Sequence, residues 1–364
     1  MHSRTGNTCF TTGLSDGTRV VVSLGPTLSS ASEIAAALEL GADFRQPFGY
    51  RGQPHFDQFA TIQRERERLL ATGSPISGEV YVDLPSERPR LGVVSSPVHL
   101  NEGEKVRLRA SERSTTPGEI PIPALARFVG AVAPGHRILL RDGNVVLRVC
   151  EIESPQVLTA EVLRAVQPVE TNNNLMLPDS AVQFEPVVEE DRVLLARYRD
   201  NGFLPDWVML SLIASVEQVN KARRELQLMF ESRAPRVMVK IETSKSVELM
   251  HELLQVSDGL LVGRGDLGMT MPPECIPAIQ QKVVNVCRAA GKPVLVATEF
   301  LQRYAETGVP NRAELSDVAL AVRQGVSGIV LTKETSSSLH ALDSVRLARR
   351  IIEVERGGEM VEGE

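Results

Sequence analysis

Short apolar runs alternate with amphipathic stretches along most of the chain. The runs Arg19–Leu24, Ala42–Phe48 and Val80–Asp83 have strand length and strand composition, and Ser30–Leu40 and Phe56–Leu70 between them repeat apolar residues at helical spacing. The alternation resumes with strand Trp207–Ser211, helix Val216–Phe230, strand Val237–Ile241, helix Val247–Leu254 and strand Gly259–Val262. Helix Ile276–Ala290, strand Val294–Ala297, helix Glu314–Val322, strand Gly328–Leu331 and helix Ala341–Glu355 complete the series. Eight strands, each followed by a helix once one interruption is excised, predict an α/β fold of the (β/α)8 TIM-barrel type rather than an open doubly wound sheet.

The interruption has a different texture. Alternating segments at Lys105–Arg109, Arg137–Leu140, Val145–Val149 and Leu158–Leu163 are separated by turn signals at Pro134–Gly135 and Asp142–Gly143. They predict a small, β-barrel-like domain inserted after strand three. The expected organisation is a flexible tail over 1–17, a barrel over 18–88 and 178–356, and an inserted β domain over 89–177. Hung from the strand-to-helix side, that domain lies over the ligand-binding face and is suited to act as a lid.

With 364 residues, 42% of them hydrophobic, the chain can bury a large core, and no apolar run reaches the ~20 residues a membrane span requires. A net charge of -6 without a basic stripe argues against nucleic acid as a partner. The first seventeen residues carry no secretion signal, and Cys9, Cys150, Cys275 and Cys287 have no metal-like spacing, so reduced thiols in a cytoplasm are expected.

The candidate chemistry lies between Arg236 and Glu355. Glu242 follows the strand VMVKI and Asp266 follows GLLVGRG, so two carboxylates stand at the carboxyl ends of successive strands, where barrels bind their ligands. Such a pair suits a hard divalent cation, Mg2+ or Mn2+, with positions left for the oxygens of a 2-oxoacid such as pyruvate. Lys240 is two residues before Glu242 and faces the same interior, where its ammonium can neutralise charge developing on an enolate oxygen. Gly263, Gly265 and Gly268 leave room for backbone amides near a bound anion.

The blocks VKIETSKSVELMHELLQVSDGLLVGRGDLGMTMP, AAGKPVLVATEFL, NRAELSDVALAVRQGVSGIVLTKET and RVVVSLGPT, with GHRILLRDGNVVLRV in the insertion, resemble conserved blocks of the pyruvate kinase family. The resemblance implies a barrel with a B domain. As the chain stops at the final barrel helix, it also implies that the family's C-terminal effector domain is missing. It further implies that Lys240 stabilises the enolate, that the Gly265 and Asp266 amides and the Thr298 hydroxyl hold the substrate carboxylate, and that Arg90 and Arg264 stand near the site.

Two stretches depart from the family. Its Arg-x-Asn-Phe-Ser-His-Gly segment is replaced by ADFRQPFGYRG, and an ungapped alignment puts Gln46, Phe48 and Tyr50 where the phosphoryl-binding arginine and two potassium-site residues are expected. Its Asp-Thr-Lys-Gly-Pro-Glu-Ile-Arg becomes DLPSERPR, keeping Asp83 and Arg90 but placing Leu84 and Pro85 over a hydroxyl and a lysine. Glu299 and Lys333 add charges beside the last two strands, and Glu299 is a candidate acid or base. The first expectation is therefore a metal-dependent lyase or aldolase that forms or cleaves a C–C bond by way of a pyruvate-like enolate, with Lys240, Thr298, Arg90 and Glu299 catalytic and the potassium site lost. A divergent pyruvate kinase using phosphoenolpyruvate and ADP, and a catalytically weak regulatory protein, are the alternatives. Assembly as a homodimer through barrel surfaces is expected.

Overall fold

The computed structural model of the chain describes residues 17–47, 53–74, 76–114, 116, 118–180 and 182–357. The expected tail over 1–17 falls almost wholly outside them, as do Phe48, Tyr50 and Arg51. Eight parallel strands close into a barrel: β1 (Arg19–Ser23), β2 (Asp43–Pro47), β3 (Val80–Leu84), β10 (Trp207–Leu210), β11 (Arg236–Ile241), β12 (Gly259–Gly263), β13 (Val294–Ala297) and β14 (Gly328–Leu331). β14 returns to pair with β1, with Arg19 opposite Gly328. Between β3 and β10 lies a six-stranded sheet of β4 (Lys105–Arg109), β5 (Glu119–Pro121), β6 (Arg137–Leu140), β7 (Val145–Ser154), β8 (Val157–Ala165) and β9 (Leu175–Met176), in the order β5-β4-β8-β7-β6-β9.

The alternation along each barrel strand separates two apolar layers. Val20, Val22, Phe44, Val80, Val82, Val208 and Val239 face outward and pack on the helices, whereas Val21, Tyr81, Met209, Met238, Leu261, Leu295 and Val330 fill the interior. Below that plug the interior is closed by charge: Arg19 pairs with Asp43 at 2.9 Å and Glu79 at 2.6 Å, and Arg236 reaches Glu79 at 2.6 Å. Above it, at the carboxyl ends of the strands, the interior residues are polar and form the site described next.

The helices start where their sequences say they should. Ser30 with Glu33, Ser215 with Gln218 and Asn311 with Glu314 each form a reciprocal capping box, and Gly325 ends the last of these helices in the left-handed conformation. Helix Glu189–Asp200, which the sequence reading passed over, completes the layer after the insertion.

The inserted sheet has its own core around Leu108, Ile120, Ile138, Leu147, Leu158 and Val162. Its two connections run side by side: Ser86 Oγ donates to the Glu185 carbonyl at 2.9 Å, and the Leu91 amide donates to the Asn173 carbonyl at 2.9 Å. A second, smaller apolar cluster joins Leu139 and Met176 of the sheet to Leu212 at the barrel rim, with Phe184 and Met269 packed against it.

Candidate active site

Three strand ends converge on Lys240. Its Nζ lies 2.9 Å from Ser211 Oγ, 3.3 Å from Asp83 Oδ1 and 2.8 Å from Glu242 Oε1. Burial alone would pull the ammonium pKa down, but Asp83 and Glu242 outweigh it and hold it above the ordinary lysine value. Lys240 is thus a fixed cation, not a base. Asp83 is gripped from its other side by Arg45, whose Nε donates to Oδ2 at 2.7 Å and whose Nη1 donates to Ser23 Oγ at 3.0 Å. Burial works to raise the Asp83 carboxyl, and Arg45 with Lys240 overcomes this and lowers it.

Glu242 and Asp266 share the adjoining space. The Glu242 Oε2 accepts the Leu212 amide at 3.1 Å, and the side chain is almost completely buried. Asp266 Oδ2 is paired with Arg88 Nη2 at 2.7 Å. Burial and the neighbouring Asp266 charge raise the Glu242 carboxyl, the first of these being the stronger. Asp266 is held low because Arg88 outweighs its own burial. Two carboxylates forced together, one of them driven toward its neutral form by burial and then by the other's charge, form a donor set that suits a divalent cation. Among the described residues no group of three or more His, Cys, Asp or Glu could hold a metal, so an ion here would complete its shell with substrate and water. Gly263 is required for this packing, since a Cβ there would lie 2.8 Å from Glu242 Cγ. The corresponding Cβ of Gly265 would make only ordinary contact and that of Gly268 would meet nothing within 4 Å.

Thr298 follows β13 in the left-handed conformation with φ 78, and Glu299 comes next with φ 59. Two consecutive non-glycine residues there store strain, the first being β-branched. The turn is held from two sides. The Gly265 amide donates to Thr298 Oγ1 at 3.0 Å, and Arg264 Nε donates to the Thr298 carbonyl at 3.1 Å while Nη1 pairs with Asp317 at 2.8 Å. The Arg264 guanidinium also lies 4.2 Å from the centroid of the Phe300 ring.

The structure brings together Lys240, Glu242 and Asp266 and sets Thr298 beside Gly265; it places Arg45 with Gln46, Arg90 and Glu299 otherwise than the sequence suggested. Phe44 lies in the outer core, so the pleat turns Arg45 inward and Gln46 outward, where Gln46 bonds to His55 and to Tyr198 Oη at 2.7 Å each. The inner arginine of this strand is therefore present, and the ungapped alignment put it one residue late. The parity of Asp43, which meets Arg19 inside the barrel, carried the signal. Arg90 is exposed, with Nη1 donating to the Asn172 carbonyl at 3.1 Å; Arg88 takes the inward place because the prolines on either side of it, Pro85 and Pro89, give this connection an irregular course. Glu299 is exposed and lines a cavity of about 430 Å3 together with Arg264, Gly265 and Asp317. Lys333 is exposed too, and the buried residue beside it is Glu334, which accepts the Thr332 amide at 2.6 Å.

Comparison with known proteins agrees with this fold. The profile described as "Pyruvate kinase, barrel domain" matches residues 16–345. The chain is 31% identical over 351 residues to a pyruvate kinase of Methylorubrum extorquens, covering 93% of this chain and 69% of that one. It is 33% identical over 337 residues to a pyruvate kinase of Aeropyrum pernix, covering 92% and 69% of the two chains. The crystal structure of a pyruvate kinase from Cryptosporidium parvum superposes with a TM-score of 0.84 at 24% identity, over 94% of this chain and 70% of the other, a likeness of fold. Among the described residues no helix is long and apolar enough to cross a membrane.

Proposed function

The chain belongs to the pyruvate kinase family, and from that premise we propose that it transfers the phosphoryl group of phosphoenolpyruvate to ADP, leaving the enolate of pyruvate. The observation that carries this reading is the inward Arg45, which sets a second cation beside Lys240. The lyase or aldolase reading was favoured by the joint loss of phosphoryl, cation and nucleotide contacts, and the inward Arg45 weighs against the first of these losses.

In this reading Arg45 and Lys240 face the transferring group and the enolate oxygen, supplying charge that needs no rearrangement during reaction. Glu242 and Asp266 hold Mg2+ or Mn2+, which would add positive charge against the substrate oxygens. The Thr298 hydroxyl orients the carboxylate from the strained turn, and Arg264 fixes that turn. Phe48 and Tyr50 stand where the family alignment expects two potassium-site residues, so the potassium site is proposed to be lost.

A coupled assay of ATP formation, run beside NMR exchange of the methyl protons of pyruvate in deuterated solvent, tests the proposal. ATP is expected at equal rates in potassium and sodium salts, and Arg45→Gln is expected to lose ATP formation by about a hundredfold while retaining exchange. Exchange without ATP from the unaltered protein would return the reading to C–C bond chemistry. A separate expectation concerns the clamp on the turn. Arg264→Met should lower kcat by about a hundredfold by misplacing Thr298, with Arg264→Lys only partly restoring it. Equal kcat values with a changed melting temperature would make Arg264 merely structural.

A further inference from the structure

Leu212 stands where the inserted sheet, the barrel rim and the carboxylate pair meet. It follows β10 with φ 54, a backbone conformation unfavourable for a residue with a Cβ. Its amide donates to Glu242 Oε2 at 3.1 Å, so this conformation aims a hydrogen bond at one member of the pair. Its side chain, only 4% exposed, packs with Leu139 and Met176, which are paired partners on β6 and β9. Met269 joins the same cluster from the Arg264–Thr270 helix, the single short helix that also carries Asp266. Thr270 Oγ1, next to Met269, donates to the backbone carbonyl of Glu242 at 3.4 Å. One apolar cluster therefore has hold of both carboxylates, of Glu242 through the Leu212 amide and of Asp266 through its helix.

We propose that Leu212 is a positioning residue through which the seated inserted domain sets the Glu242–Asp266 pair, so that affinity for a divalent ion depends on apolar contacts made outside the site. The inference rests on the reading of that pair as the ion-binding group. With Leu139 and Met176 withdrawn, the Leu212 side chain loses its buried partners in the cluster, and less contact remains to offset the strained backbone. The backbone then relaxes, the amide leaves Glu242, and the helix carrying Asp266 loses its Met269 contact.

The test measures Mn2+ binding to the full chain by electron paramagnetic resonance, with hydrogen exchange of the segment around Leu212 as a second readout. Leu139→Ala and Met176→Ala are expected to weaken Mn2+ binding about tenfold and to speed exchange at Leu212, although neither residue is a ligand. Leu212→Gly, which relaxes the backbone but removes the side chain, should weaken binding equally. Val166→Ala, at an inserted-domain position 69% exposed, should change nothing. Folded Leu139→Ala and Met176→Ala proteins that bind Mn2+ as tightly as the unaltered chain would overturn the inference and leave the metal reading standing. Absence of Mn2+ binding by the unaltered chain would remove the metal reading first, and the inference with it.

Discussion

Lys240→Met is expected to abolish measurable chemistry, lowering ATP formation from phosphoenolpyruvate by roughly a thousandfold and removing proton exchange into pyruvate as well. The loss differs from that of Arg45→Gln because, in the proposed reaction, Lys240 serves both half-reactions by facing the enolate oxygen, which is present with or without a phosphoryl group. The same substitution leaves Asp83 and Glu242 buried with one fewer cation, a change that in buried pairs is destabilising by about 3–5 kcal/mol. A lower melting temperature should therefore accompany the lost turnover. Exchange at the unaltered rate in folded Lys240→Met protein would take the enolate role away from this residue.

Glu242→Gln should carry the second large effect, loss of detectable Mg2+ and Mn2+ binding by calorimetry together with turnover. Glutamine keeps the shape and can still accept the Leu212 amide, so the barrel should remain folded. The substitution also has a pH signature. In metal-free protein the Glu242 carboxyl is raised above its ordinary value of 4.5, so its contribution to stability is fully present below that value and is lost as pH rises through the raised pKa. Asp266, held low, works in the opposite direction and in a more acidic window. Glu242→Gln should remove the alkaline-side decline and keep the acidic-side one. Unchanged metal affinity would leave Asp266 and Arg88 as an ordinary ion pair and the site without its cation.

The barrel was legible because its signal is repetitive: eight strand-length apolar runs and the helices between them need no long-range information. Lys240, Glu242 and Asp266 were legible for a related reason, since position at a strand end and a two-residue pleat fix where a side chain points. What failed was register. An ungapped alignment set Gln46 at the arginine position, whereas the pleat, anchored at Phe44 in the outer core, turns Arg45 inward. Arg88 was missed because the segment Pro85–Arg90 has no period from which to count. The clamp of Arg264 on Thr298 and the contact of Leu212 with the inserted sheet join residues distant in sequence, and nothing local announces either one.

The side-by-side connections of the inserted domain bear on how the chain comes to be folded. Ser86 and Glu185 are 99 positions apart yet hydrogen-bonded, so the whole excursion between them leaves and re-enters the barrel at one point. The inserted sheet draws all its partners from within that excursion, and every strand it needs has been made once Met176 has been synthesised. The barrel cannot close until β14 reaches β1, the strand pairing most distant in sequence among the described residues. Closure entropy grows only slowly with loop length, and an early-folded insertion shortens the effective loop further by bringing its own ends together. During synthesis, then, the inserted sheet can be complete while the barrel beneath it is still an open ribbon, and the last strand to emerge closes it.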